Sequence, residues 1–203
     1  MPASFADFYR GKKVLVTGHT GFKGGWLVSW LKLLGANVIG FALPPETEPN
    51  LFSAARVAEG MTSVFGDIRD LPALSAVFKE HNPKIVIHNA AQPLVRRSYR
   101  EPVETYAANV MGTVHVLEAA RHTPSVRALV VVTSDKCYDN REWFWGYREA
   151  DAMGGHDPYS SSKGAAELVT AGYRKSFFSQ NGSAGVGPAR AGNVIGGGDW
   201  SED

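Results

Sequence analysis

Short, continuous runs of apolar and β-branched residues alternate along the chain with longer segments in which apolar residues recur every three or four positions. The runs Lys13–Thr17 (KVLVT), Asn37–Leu43 (NVIGFAL), Thr62–Phe65, Ile85–His88 and Ala128–Thr133 (ALVVVT) read as strands, the more apolar of them as strands covered on both faces. Between the first two, Phe22, Trp26, Leu27, Trp30, Leu31 and Leu34 keep helical spacing up to a stop at Gly35. Further helices are expected over Leu71–Glu80, Val103–His122 and Tyr159–Phe178. Strand followed by helix throughout implies parallel pairing, hence an α/β fold with a doubly wound parallel sheet. The last candidate strand, near Val186–Ile195, is interrupted by Gly187 and Pro188 and should form poorly, because Pro removes a ladder donor.

Composition narrows the class. The chain has 203 residues, with 21 Lys plus Arg against 20 Asp plus Glu and a net charge of +1, so no global charge draws it to nucleic acid or to an anionic membrane. Hydrophobic residues at 44% and charged ones at 20% are sufficient for a packed core. One cysteine, Cys137, excludes an internal disulfide framework and a Cys-rich zinc site, and the six histidines lack metal-ligand spacing, so no metal is expected. Met1–Lys12 has no apolar signal core, and no run approaches the length of about 18 apolar residues that spans a membrane. A cytoplasmic protein without a membrane partner is expected.

Two local patterns suggest chemistry. Gly18-His19-Thr20-Gly21-Phe22-Lys23-Gly24 lies between the first strand and the first helix as G-x-x-G-x-x-G. Glycines there let a backbone approach a pyrophosphate, and the helix N-terminus neutralises it. The same glycines can also serve packing alone. The second strand ends in Leu43-Pro44-Pro45, with Glu46 beyond and no Arg, so NAD and NADP are not distinguished. Asp67, after the third strand, is placed to meet an adenine or simply to cap a turn. The second pattern is Tyr159-Ser160-Ser161-Ser162-Lys163, which sets a phenol and an ammonium one helical turn apart. A nearby cation lowers a phenol's pKa and lets it exchange a proton during hydride transfer. Thr133-Ser134-Asp135-Lys136 closes the most apolar strand, where ligands of open parallel sheets gather or where a turn satisfies its own backbone.

With GHTGFKG at 18–24, HNAAQPLVRRSY at 88–99, NVMGT at 109–113, TSDKCYDNREW at 133–143, YSSSK at 159–163 and RAGNVIGGGDW at 190–200, the chain resembles the extended short-chain dehydrogenase/reductases. Within them it is most similar to the CDP-glucose 4,6-dehydratase group. The resemblance implies a Rossmann-like, NAD-binding domain over 1–203, with most of the C-terminal substrate-binding portion absent. It implies dehydration of CDP-glucose to CDP-4-keto-6-deoxyglucose: hydride passes from C4 to NAD, water leaves across C5 and C6, and the hydride returns to C6. Tyr159 would be the base at the 4-hydroxyl, Ser134 its hydroxyl partner and Lys163 its electrostatic partner on the nicotinamide ribose. Asp135 would protonate the leaving 6-hydroxyl. Lys136 would take the C5 proton, which requires burial or neighbouring cations to keep it neutral. NAD contacts are implied at Gly18, Thr20, Gly21, Phe22, Lys23, Gly24, Asp67, Ile68, Ala90, Ala91, Gln92 and Asn109, and a substrate contact at Asn193. A nucleotide-sugar epimerase, or an NAD-binding fragment without turnover, are the alternatives. The long helices Val103–His122 and Tyr159–Phe178 suggest a helix-pair homodimer. Trp143 and Trp145 either cover the site or pack within their loop.

Overall fold

The computed structural model describes residues 5–180 and 183–202. Met1–Ser4, the start of the segment read above for a leader, lie outside the described residues. The elements follow the alternation: α1 (Phe5–Tyr9), β1 (Lys13–Thr17), α2 (Phe22–Leu33), β2 (Asn37–Ala42), α3 (Leu51–Ala54), β3 (Thr62–Phe65), α4 (Leu71–His81), β4 (Ile85–His88), α5 (Val95–Arg100), α6 (Pro102–Tyr106), α7 (Gly112–Arg121), β5 (Ala128–Val132), α8 (Pro158–Phe177) and β6 (Gly185–Ala189).

The six strands form one parallel sheet in the order β3-β2-β1-β4-β5-β6. Val14 and Val16 of β1 face one layer, with Val28, Leu31 and Val38. Leu15 faces the other, with Phe41, Leu74, Phe78, Leu117 and Leu129. Both faces are thus covered, which is why the β1 run is continuously apolar. Helix entries are fixed locally: the Asp70 side chain accepts the Ala73 amide at the start of α4, and Asp157 accepts the Ser160 amide ahead of Pro158 in α8. No described helix is long and apolar enough to cross a membrane.

Two expectations need correction. The sixth strand is formed, over Gly185–Ala189. Gly185 N–H donates to Arg127 O and Ala189 O accepts from Thr133 N–H, so alternate residues face β5 and Pro188 points its missing donor at the open edge. Next, the helix expected over Val103–His122 is interrupted: a π-helical turn, Ala107–Met111, joins α6 to α7. Such turns insert one residue and re-aim side chains, here that of Asn109.

Candidate active site

The chain runs outward from β1 to β2 and β3 on one side and from β4 to β6 on the other. Loops therefore part at the C-terminal ends of β1 and β4. The resulting cleft, about 1200 Å³, is lined by the glycine loop, Asp67, Ile68, Ala90, Ala91, Gln92, Ser134, Lys136, Tyr159, Lys163 and Asn193.

The three loop glycines do different work. Gly18 has φ +76°, and a Cβ on it would lie 2.7 Å from Ala90 Cα; a Cβ on Gly24 would lie 1.9 Å from Gly18 O. Both are required by the close approach of the chain to itself. Gly21 has φ −76° and caps α2 with no side-chain hydrogen bond. A Cβ there would meet only Gly18 O, at 3.6 Å, so its open side is the cleft. The first-turn amides of α2 are left without a side-chain cap, which suits an anion. Thr20 Oγ1 donates to Leu43 O and ties the loop to the end of β2. Phe22 lines the same end. Lys23 is half-buried there, and burial lowers its pKa.

Asp67 lines the cleft, but its carboxylate is engaged by Arg69, accepting from the backbone N–H at 2.8 Å and from Nε at 2.9 Å. That ion pair holds its pKa below the ordinary carboxylate value. Its backbone and that of Ile68 are what the cleft can use. Ile68 is buried against Gly112, where a Cβ would lie 2.5 Å from Ile68 Cδ1. Gln92 has its side chain locked to Leu94 and Thr105. Asn109 does not line the cleft. It is buried one layer behind, with Oδ1 accepting Gln92 N–H and Nδ2 donating to Gln92 O and Ser162 Oγ, so it shapes the wall rather than facing a ligand.

At the end of β5, Ser134 Oγ donates to Asp135 Oδ1 at 2.9 Å and accepts from Lys136 N–H, and the Tyr159 phenol lies close enough for Ser134 to act on its pKa. Tyr159 is buried, and burial raises its pKa above the ordinary phenol value, opposed by the nearby Ser134. The expected lowering by Lys163 does not occur; burial prevails, and the Lys163 ammonium lies 5.9 Å from the ring centroid. Lys163 is itself buried. Its pKa falls to about 8, first through burial and then through repulsion by Lys23. Lys136 lines the cleft but Asp135 does not; their side chains are 42% and 58% exposed, with Lys136 Nζ 3.8 Å from Asp135 Oδ1. Lys136 thus sits in solvent beside a carboxylate, not in the buried or cationic surroundings that a neutral lysine needs.

The sequence reading missed a buried ion pair behind Ser134. Glu167, one turn beyond Lys163, accepts from Arg190 Nε and Nη2 at 3.0 Å each and from Thr133 Oγ1 at 2.5 Å. Arg190 also donates to Tyr138 OH and Glu149 O, pinning the 138–153 loop to α8 and β5. Its signal was present, since Tyr159, Lys163 and Glu167 continue one polar face at four-residue spacing. Trp143 packs on Trp145 and Tyr147 within that loop and does not line the cleft.

The family described as GDP-mannose 4,6 dehydratase matches residues 15–182. The chain belongs to this family. It is 56% identical over 201 residues to a CDP-glucose 4,6-dehydratase of Salmonella typhimurium, covering 97% of this chain and 56% of that protein. Among solved structures, a dTDP-glucose 4,6-dehydratase of Bacillus anthracis in complex with NAD is similar at TM-score 0.69 and 26% identity, over 82% of this chain and 52% of the other. A UDP-glucose 4-epimerase of Brucella ovis in complex with NAD gives TM-score 0.71 and 26% identity, over 82% and 49%. The chain spans about half the length of the curated relatives it matches.

Proposed function

We propose that this chain forms the NAD-binding, acid–base part of a nucleotide-sugar 4,6-dehydratase that converts CDP-glucose to CDP-4-keto-6-deoxyglucose. One observation carries the reading: Ser134, Tyr159 and buried Lys163 share a cleft with Gly21, the loop glycine whose open side the fold itself does not need. The residues fit a dinucleotide, because uncapped amides at the start of α2 and the backbone of Ala90 and Ala91 can meet a pyrophosphate at close range. The 56% identity to a CDP-glucose 4,6-dehydratase supports CDP-glucose as the substrate, and the similar structures in complex with NAD support NAD as the cofactor.

Bound NAD supplies a two-electron acceptor at C4 of the sugar and returns the pair at C6. Tyr159 takes the 4-hydroxyl proton, with Ser134 orienting that hydroxyl. Tyr159 must be the phenolate before it takes that proton and is a phenol after it; Lys163, with a pKa of about 8, is mostly an ammonium at neutral pH and would hold the nicotinamide ribose beside it. Asp135 would protonate the leaving 6-hydroxyl from the same strand end as Ser134; Lys136, exposed beside it, could take the C5 proton only once bound substrate covers it. A second reading, an epimerase that needs only Tyr159 and Lys163, draws on the exposure of Lys136 beside Asp135. Exposed Val103, Met111 and Leu168 on the α6–α7 and α8 helices support a homodimer through those helices, and a free, buried Cys137 accords with a reducing cytoplasm.

Calorimetric titration with NAD and NADP should show the chain binding NAD. Incubation with CDP-glucose and NAD, followed by alkali, should develop the absorbance of a 4-keto sugar. A product with a retained 6-hydroxyl and inverted C4 would replace the dehydratase by the epimerase, and absence of NAD binding would reject both.

A further inference from the structure

A polar chain beneath the cleft joins its two halves. His88, the last residue of β4, is buried, with Nδ1 2.7 Å from Thr17 Oγ1 and Nε2 3.2 Å from Thr113 Oγ1. Thr17, the last residue of β1, also accepts the amides of Asn89 and Ala90 on that same oxygen, each at 3.1 Å. A threonine oxygen has two lone pairs and one proton. Both lone pairs are taken by amides, so Thr17 has only its proton for His88, and Nδ1 must accept. The neutral ring then bears its proton on Nε2 and donates it to Thr113. Thr113 in turn gives its own proton to Asn109 O at 2.7 Å. Every direction along Thr17, His88, Thr113 and Asn109 is thereby fixed. Burial, reinforced by Lys163, pushes the His88 pKa down to about 3 and keeps the ring neutral.

The chain continues past Asn109, whose side chain holds Gln92 and Ser162, and Ser162 Oγ donates to Tyr159 O. At its other end the Asn89–Ala90 backbone closes on Gly18 with no room for a methyl group.

We propose that His88, as its Nε2–H tautomer, is a positioning residue that couples the floor of the cofactor cleft to the helix bearing Tyr159. With the opposite tautomer, Nδ1 would become a donor, and Thr17 would have to release one of the two amides that hold Asn89 and Ala90 against Gly18. The effect on cofactor affinity rests on the NAD-binding reading; the tautomer and the coupling do not.

Long-range 1H–15N spectra of the chain without cofactor should show His88 Nδ1 unprotonated and Nε2 protonated; a protonated Nδ1, or a ring averaged between tautomers, overturns the proposal. His88→Leu should speed hydrogen exchange of the Asn89 and Ala90 amides about tenfold, the loss of one buried hydrogen bond. His88→Asn, which keeps an acceptor near Thr17, should speed it less. Thr113→Val lies on α7 and does not touch those amides, yet it should speed their exchange by about threefold or more through the ring. Unchanged exchange in Thr113→Val would sink the coupling. The wild-type spectrum decides the tautomer even where a variant does not fold. Calorimetry on His88→Leu should show weaker NAD binding than on His88→Asn. If the wild-type chain fails to bind NAD, the proposed function falls while the spectra and exchange rates still decide the role of His88.

Discussion

Replacing the loop glycines one at a time separates what the fold needs from what a ligand needs. Gly18→Ala puts a Cβ on a residue at φ +76°, and the Cβ would stand 2.7 Å from Ala90 Cα. Left-handed backbone costs an L residue about 1–2 kcal/mol, and parting two backbones adds a comparable amount, so a loss of about 2–4 kcal/mol is expected. Gly24→Ala should cost at least as much, because its Cβ would fall 1.9 Å from Gly18 O, within the first turn of α2. Gly21 differs. Its φ of −76° suits any residue, and the nearest atom to a Cβ is 3.6 Å away. Losing a Gly cap costs up to about 1 kcal/mol and stiffening the unfolded chain offsets about half of it, so Gly21→Ala should stay within about 0.5 kcal/mol of the wild type. A methyl group there occupies the space a pyrophosphate would use to reach the α2 amides. NAD affinity should fall at least about tenfold, or about 1.4 kcal/mol, and further in Gly21→Val. Urea unfolding and calorimetric titration of the four proteins measure both quantities. A folded Gly21→Val protein with unchanged NAD affinity would refute the site, and a Gly18→Ala protein as stable as wild type would refute the packing argument.

Lys163 should make stability rise with pH. Its native pKa of about 8 lies below the ordinary 10.5, so between these values the unfolded chain holds a proton the native one has lost. The wild type should therefore gain up to about 3 kcal/mol relative to Lys163→Met from pH 8 to 10.5; a flat difference in guanidinium titrations would contradict it. Glu167→Gln should cost about 3 kcal/mol in urea unfolding by leaving Arg190, 18% exposed, without its carboxylate, and a loss below about 1 kcal/mol would mean solvent already screens the pair. In a complete enzyme Tyr159→Phe should abolish oxidation at C4 without unfolding the chain, since only the hydroxyl is removed; retained turnover moves the base elsewhere. Asp135→Asn and Lys136→Met, again in a complete enzyme, should slow elimination while NADH still forms in a single turnover; loss of NADH as well would make them positioning residues.

Strand positions were legible because each short apolar run carries its own boundary: β1, β3 and β4 fall on the predicted residues. The glycine loop and the Tyr159–Lys163 pair were legible for the same reason, being local patterns. What stayed hidden depends on partners distant in sequence. Thr17 meets His88 71 positions away, and Asn109 meets Ser162 53 positions away, so neither the floor of the cleft nor the placement of Asn109 behind it has a local signature. Hidden likewise was β6, since whether Pro188 spoils a strand depends on which way its nitrogen faces, and that is settled only by the edge position. The burial of Tyr159 and the exposure of Lys136 belong to this second kind, which is why reasoning from spacing gave the wrong sign for the phenol.

Helix α8 shows how the two kinds of information meet. Its buried face is polar, with Tyr159, Ser162, Lys163, Glu167 and Thr170, while Leu168 is 65% exposed. A helix that buries polar groups must supply each with a partner or bear the desolvation cost. Ser162 has Asn109, Glu167 has Arg190 and Thr133, and Thr170 bonds back to Ala166 O, while Tyr159 opens on the cleft. For Lys163 the contact is a long one, 3.5 Å to Val132 O, and burial depresses its pKa to about 8. The residues least satisfied by the protein, Tyr159 and Lys163, are thus the two of this face that line the cleft. An acceptor brought in by a ligand, such as a ribose hydroxyl, would restore what burial took from the Lys163 ammonium, so the strain along α8 is concentrated where binding can relieve it.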